Sequence, residues 1–145
     1  MIKLNNKVLN IVVNFILMLW QLPQLLTGLI ALAIFHNYEW YTNEDAGITV
    51  LKVNKGNFNG GACFSSGPFI FVTPYCTEEI IKHETGHSKQ SLYFGPLFHI
   101  VVSIPSICLF IYRRAKNKDT KWYYSHWPEN DANKSGHVDV SKYGL

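Results

Sequence analysis

The sequence predicts a single α+β domain of mostly helical content that is embedded in a membrane. Three observations support this prediction. Two apolar blocks, at 8–35 and 97–112, have lengths and compositions typical of membrane-associated helices. A region rich in β-branched residues at 48–73 predicts a small β-hairpin. A third helix, predicted at 77–94, carries the sequence HETGH, and the 145 residues suit one domain.

Composition excludes nucleic acid as a partner and favours lipid. The chain is 48% hydrophobic and 16% charged, and its apolar residues are concentrated in two blocks instead of being spread periodically. The formal net charge of +3 is too small to indicate a nucleic-acid surface. Basic residues cluster beside the apolar blocks, where they would bind anionic headgroups, and the largest cluster is Arg113, Arg114, Lys116, Lys118 and Lys121.

The first apolar block is too long for one upright span. It has 28 residues without a formal charge, or roughly 42 Å of helix, against a hydrocarbon core of about 30 Å. No small-x-small cleavage site follows it, so we expect it to be retained and not removed as a signal peptide. In its middle, at 20–24, lies WQLPQ, where Pro23 removes a backbone donor between two glutamines. The block is therefore predicted to form two short helices in a re-entrant hairpin, broken at Pro23.

The segment after this block predicts strands. Residues 48–53 (ITVLKV) precede a turn-rich run at 54–61, and partner strands are expected at 62–66 and 69–73, separated by a Ser-Gly-Pro break. The cysteines Cys63, Cys76 and Cys108 are odd in number and form no CxxC pair. Reduced thiols are favoured over a Cys63–Cys76 disulfide.

The second apolar block is short for a clean span. Its 16 residues correspond to about 24 Å of helix, and Pro105 interrupts it. A C-terminal element follows at 122–140, with a short helix expected near Pro128.

The HETGH sequence predicts a metal site. Thr77 is a good N-cap, and residues four apart share a helix face, so His83 and His87 can present two imidazoles to one ion. This pair suits Zn²⁺, and Glu84 is placed to take a proton from a zinc-bound water. Gly86 within the helix indicates that something packs close to the backbone there.

A catalytic zinc ion usually has a third protein ligand. His99 lies in the apolar block and is more simply a polar residue facing the bundle. His126 could contact a metal ligand without binding the ion itself, or it could lie on the surface. Candidates for the third ligand are the downstream His99, His126, Glu129, Asp131, His137 and Asp139.

The chain also resembles a family of small, largely uncharacterised bacterial membrane proteins. The resemblance is carried by HETGHSKQSLYFGPL, the later IPS, the tail YYSHWPENDANKSG and WQLPQ near the start. Family members show HExxHxxQS, then GPL, then IPS, then an aromatic-rich ExxAD element. The resemblance implies a gluzincin-like, minimal zincin site.

Carried over residue by residue, the resemblance places metal histidines at His83 and His87, the catalytic glutamate at Glu84, a characteristic glutamine at Gln90 and the third ligand at Glu129. The chain departs from the family at Asn133, where aspartate is usual, and at His137, where a second glycine is usual. Asp131 is therefore a candidate to replace the aspartate behind the ligands.

These expectations combine into a zinc-dependent membrane metallopeptidase that hydrolyses a peptide bond near the membrane surface. Two simple spans would put HETGH and Glu129 on opposite sides, whereas hairpins broken at Pro23 and Pro105 bring them together on the cytoplasmic face of the bacterial inner membrane. The alternative is a non-catalytic, zinc-stapled membrane scaffold or regulator. A metal-free protein of toxin or immunity type is a third reading, and it leaves HETGH unexplained.

Overall fold

The computed structural model describes residues 5–35, 38–43, 48–53 and 63–143. The fold is α+β and mostly helical, as predicted. In chain order its helices are α1 Lys7–Trp20, α2 Leu22–Ile34, α3 Glu78–Phe94, α4 Ile104–Ala115, α5 Thr120–Tyr124 and α6 Glu129–Gly136. Its strands are β1 Tyr38–Asn43, β2 Ile48–Val53, β3 Phe64–Ser66 and β4 Phe69–Val72.

The first apolar block forms two helices, and the predicted break is confirmed. α1 and α2 meet at Gln21 with a bend of 86°. Pro23 lies in the first turn of α2, where its missing N–H costs no intrahelical hydrogen bond. The apolar side chains of both helices are mostly exposed, and α1 has no buried residue.

The four strands form one sheet in the order β1-β2-β4-β3. β3 and β4 lie in the two segments that were predicted as partner strands, and they pair antiparallel with each other through Gly67 and Pro68. The segment 69–73 is confirmed as a partner of 48–53, but the expected hairpin is wrong, because β2 pairs with β4 in parallel and pairs antiparallel with β1, a strand that was not predicted. The turn expected at 54–61 lies outside the described residues. Ile70 and Phe71 of β4 are almost fully buried and provide the core of the sheet.

The expectation of reduced thiols is wrong for two of the three cysteines. Cys63 and Cys76 form a disulfide with their Cα atoms 6.4 Å apart, and Cys108 is free and exposed. Cys63 directly precedes β3, and Cys76 directly precedes the N-cap of α3. The bond therefore ties the start of the HETGH helix to the edge of the sheet.

α3 has the predicted bounds. The Thr77 side chain accepts a hydrogen bond from the Ile80 N–H at 3.4 Å, and Glu78 and Glu79 occupy the first turn, where they complement the helix dipole. The helix ends at Gly95, which has φ +48° and begins a 3₁₀ turn through Leu97.

The second apolar block does not break at Pro105, so this part of the re-entrant prediction is wrong. The chain bends by 119° between Glu78–Leu97 and His99–Ala115, directly after the Gly95–Leu97 turn, and continues as a π-helix at His99–Ser103 directly into α4. Pro105 lies in the first turn of α4. The wider π-turn before it accommodates the missing N–H, so the helix continues through the proline.

The WQLPQ corner holds the end of α3. The Trp20 indole N–H donates to the Leu92 carbonyl at 2.9 Å, and the buried Gln24 amide donates to the Gly95 carbonyl. Ser91 donates its hydroxyl to the Gln21 side chain at 2.8 Å. The side chains of Gln21 and Gln24 thus form hydrogen bonds with polar groups at the end of α3. They do not face the apolar surroundings of the α1–α2 hairpin.

Within the described ranges, no helix taken singly has both the length and the apolar character needed to cross a membrane. Two bent pairs reach that length and composition together. They are α1 with α2, and Glu78–Leu97 with His99–Ala115.

Candidate metal centre

Helices α3 and α6 pack unusually closely, and this contact builds the site. A Cβ atom at Gly86 of α3 would overlap the Ala132 carbonyl, and one at Gly136 of α6 would overlap the Lys82 carbonyl. Only hydrogen side chains at these two positions allow the backbones to approach so closely. The close approach predicted for Gly86 is therefore confirmed, and its partner is the backbone of α6.

This packing brings His83, His87 and Glu129 together in the interior. Glu129 Oε2 lies 3.0 Å from His83 Nε2 and 3.4 Å from His87 Nε2. Ligands about 2 Å from a zinc ion in a tetrahedron are about 3.3 Å apart, so these separations suit one shared ion. Candidate ligand atoms of the three residues all lie within 4.8 Å of one another. The group can hold a metal ion.

The burial of Glu129 also fits a cation site. Its side chain is 1% exposed, and among the described residues no hydrogen bond of normal geometry reaches either carboxylate oxygen. A buried carboxylate without such partners carries a large desolvation cost, which an ion between it and the two imidazoles would offset.

Hydrogen bonds to the Nδ1 atoms orient both histidines. His83 Nδ1 lies 2.8 Å from Asn133 Oδ1, and His87 Nδ1 lies 2.7 Å from Gln90 Oε1. Because an amide oxygen only accepts hydrogen bonds, each Nδ1 carries the proton and each Nε2 presents its lone pair to the shared position. This is how histidine ligands are normally held in metal sites.

Gln90 is itself fixed by α6. Its amide nitrogen donates to the Pro128 carbonyl at 3.0 Å and to Asp131 Oδ2 at 2.8 Å. The structure thus places Gln90 and Asp131 behind His87. Asp131 contacts Gln90 and not a metal histidine directly, whereas the amide oxygen of Asn133, where the resemblance expected aspartate, lies against His83. Asn133 lies four residues after Glu129, so its position on the same face of α6 could have been read from the spacing.

The other candidate ligands lie elsewhere. His126 donates from Nδ1 to the Trp122 carbonyl at 2.6 Å and stacks on the Trp122 ring, so its role behind the ligands is not supported. His99 contacts Ser103 and Thr27, as expected of a polar residue between helices. The backbone N–H of Asp139 donates to Glu79.

His137 ends α6 in the left-handed conformation, with φ 56° and ψ 44°. Glycine adopts this conformation without the steric cost that a side chain such as that of His137 brings.

Glu84 lies beside the histidines and is 7% exposed. Burial raises the pKa of Glu84 above its ordinary value, and the nearby imidazoles of His83 and His87 offset part of this rise. A carboxylate with a raised pKa is a better proton acceptor near neutral pH than an exposed one.

The charges of the ligands are strongly coupled. Burial alone would raise the pKa of Glu129, but contact with His83 and His87 holds it well below the ordinary value. Burial lowers the pKa of His87, but Glu129 and Glu84 outweigh this and raise it to about 9. In the metal-free protein at neutral pH, His87 therefore holds a proton that an incoming metal ion must displace.

A cavity of about 370 Å³ opens onto this group. The π-helix and α4 provide one wall, and Tyr123 and Tyr124 of α5 provide another. The edge of the Tyr124 ring packs on His83, with the centroids 5.0 Å apart. Burial raises the pKa of Tyr123, so its phenol stays neutral. Sequence reasoning missed both tyrosines, although the aromatic run WYYSHW lies within the predicted C-terminal element.

No protein-family model, no curated protein and no solved structure matches this chain. The family resemblance therefore stays a prediction, and what can be concluded about function rests on the geometry of the candidate metal centre.

Proposed function

We propose that the protein is a zinc-dependent peptidase held at a membrane surface. The observation that carries the proposal is the buried group of His83, His87 and Glu129, which lies beside Glu84 at the wall of a cavity. Two imidazoles and one carboxylate are a common zinc ligand set, and they leave a fourth position open toward the cavity.

Several features of the donor set favour zinc. Two nitrogen donors and one oxygen donor suit a borderline ion better than calcium or magnesium, which prefer oxygen. The distances from Glu129 to the two imidazoles suit ligands of one tetrahedral ion, and each histidine has a polar partner on its far nitrogen.

Within this proposal each residue has a defined role. A bound zinc ion supplies Lewis acidity, which polarises a carbonyl group and acidifies water. Glu84 accepts the proton of the attacking water and delivers it to the leaving amine. The apolar wall of α4 holds the substrate and limits the access of bulk water.

Exposed apolar surface supports the membrane part of the proposal. Large apolar side chains along α1 and α2 are about half exposed or more, and α4 shows the same pattern at Ile104, Ile107 and Ile111. Contiguous apolar surface of this extent is typical of membrane contact. The two bent helix pairs suit hairpins that enter a bilayer from one side.

One observation favours the non-catalytic alternative. The metal ligands come from both α3 and α6, so an ion would staple the C-terminal segment to the HETGH helix even without chemistry. The Glu84→Gln experiment in the Discussion separates the two proposals.

The first test measures metal content. Purified in mild detergent, the protein should contain about one zinc ion per chain, and His83→Ala should reduce this below about one tenth, because a three-ligand site loses an imidazole. Glu129→Gln should also weaken zinc binding strongly. The matched controls, His126→Ala and Asp139→Asn, should keep most of the metal, and elemental analysis provides the readout. Full zinc occupancy in His83→Ala would contradict the proposed centre.

A second test concerns the compartment. The basic residues at 113–121 favour the cytoplasmic side, whereas a disulfide persists in oxidising compartments. When cells are quenched in acid and the protein is alkylated after denaturation, Cys63 and Cys76 should react only after reduction. Cys108 should react without reduction and serves as the internal control. Labelling of all three cysteines without reductant would contradict the disulfide and would favour the cytoplasmic position.

A further inference from the structure

One wall of the cavity is a stripe along a single helix face. Phe98, Val102, Ser106, Phe110 and Arg113 all line the cavity and are spaced four, four, four and three residues apart. This spacing keeps them on the same side of the π-helix and α4. The stripe is mainly apolar and ends in a cation.

Two tyrosines connect Ser106 of this stripe to the metal centre. The Ser106 hydroxyl is 3.2 Å from the Tyr123 hydroxyl, and the adjacent Tyr124 packs on His83. Arg113 lies seven residues further along α4, which corresponds to about 10 Å. An extended peptide spans this distance with about three residues.

Hydrogen bonds fix the Arg113 guanidinium group and leave some of its N–H donors for a ligand. Its Nη2 donates to Thr120 Oγ1 at 3.0 Å and its Nε donates to the Lys118 carbonyl at 3.4 Å, while the guanidinium carbon lies 6.0 Å from the Tyr123 ring centroid. Its remaining N–H groups have no partner among the residues that the structure describes. A fixed, planar guanidinium is suited to binding a carboxylate through two hydrogen bonds.

We propose that the cavity takes an extended apolar peptide segment that carries a carboxylate about three residues from the scissile bond, and that Arg113 binds this carboxylate. The inference rests on the proposed peptidase function and adds the substrate class. The apolar part of the stripe would contact apolar side chains of the substrate, and Arg113 would set the register of the chain against the metal centre.

Charge and position argue against a lipid headgroup at this place. Arg114, the next residue, is exposed and does not line the cavity. Its guanidinium carbon lies 5.3 Å from the centroid of the Phe110 ring. Arg114 and the lysines after it are free to contact headgroups, whereas Arg113 shares its cavity with the metal centre. Arg114 is therefore the matched control.

The test measures binding without turnover. The full-length protein carrying Glu84→Gln is titrated in detergent with a fluorescent apolar hexapeptide in three forms, and the signal from empty micelles is subtracted. The forms are a free C-terminal acid, a C-terminal amide, and an amide with glutamate as its last residue. We expect the two carboxylate forms to bind about tenfold more tightly than the plain amide. If only one of these two forms binds more tightly, the result shows whether the cavity recognises a C-terminal carboxylate or a glutamate side chain.

In the same background, Arg113→Gln should remove this preference and Arg114→Gln should keep it. Equal binding of acid and amide by the unsubstituted Arg113 protein would overturn the inference. A second outcome would also overturn it. In that outcome Arg113→Gln keeps the preference for carboxylate peptides, and it weakens binding to vesicles containing anionic lipid more than Arg114→Gln does. Absence of turnover with Glu84 intact, together with a retained carboxylate preference, would contradict the peptidase proposal and support recognition by Arg113.

Discussion

Glu84→Gln should lower peptide turnover by about a thousandfold and leave zinc content unchanged. The amide keeps the size of the carboxylate but cannot accept a proton from water, and general-base catalysis typically contributes a factor of this order. Glu84 is not one of the three residues whose ligand atoms converge, so the ion should stay bound. The measurement combines elemental analysis with hydrolysis of an apolar fluorogenic peptide.

The matched control is Glu78→Gln on the same helix. The Glu78 side chain is 83% exposed and forms a surface ion pair with Lys82, so turnover should remain within about twofold of the unsubstituted protein. Zinc retained at full stoichiometry, with no hydrolysis by either the parent or Glu78→Gln, would favour the zinc-stapled scaffold instead.

Gly86→Ala should have the largest effect on stability. The added methyl group would overlap the Ala132 carbonyl, and because this contact is with backbone, no side chain can rotate away. We expect the free energy of unfolding to fall by about 3 kcal/mol, the upper end of the usual overpacking range. Zinc affinity should fall at least about tenfold, because displacement of α6 moves Glu129 away from the two histidines.

Ser88→Ala is the control for this change. Ser88 lies two residues away on α3, is 2% exposed, and its hydroxyl has no hydrogen-bond partner in the part of the chain that the structure describes. Removing that hydroxyl relieves an unsatisfied buried group and raises helix propensity, so stability should stay equal or rise slightly. Thermal unfolding in detergent and zinc titration compare the two variants. If Gly86→Ala unfolds and binds zinc like Ser88→Ala, the close helix contact does not control the site.

The features that could be predicted from the sequence depend on short-range rules. Thr77 and Gly95 mark the ends of α3 because N-caps and positive-φ glycines act within one turn. Pro23 separates two helices for a similarly local reason. The pairing of His83 with His87 follows from helical periodicity alone.

The features that could not be predicted depend on contacts between distant segments. Nothing local distinguishes the parallel pairing of β2 with β4 from a hairpin, because strand register is set by the packing of the whole sheet. The sequence indicates a break at Pro105 because proline is a strong local signal, whereas the bend lies between Leu97 and His99 and the π-helix continues directly into α4. The residues alone leave Glu129 as one of six candidate ligands, and only the resemblance favours it, because its approach to His83 depends on packing at Gly86.

The order in which the site-forming segments are synthesised has a consequence for the cell. The WQLPQ corner that holds the end of α3 is made first, the histidines next, and Glu129 on α6 last. Contacts this distant in sequence form late in folding. A chain interrupted before α6 could insert its apolar hairpin and fold α3, yet it would present only two imidazoles to an ion. Nascent and prematurely terminated copies would therefore lack the complete ligand set, and under the proposed function they would be unable to hydrolyse peptides until synthesis of α6 is finished.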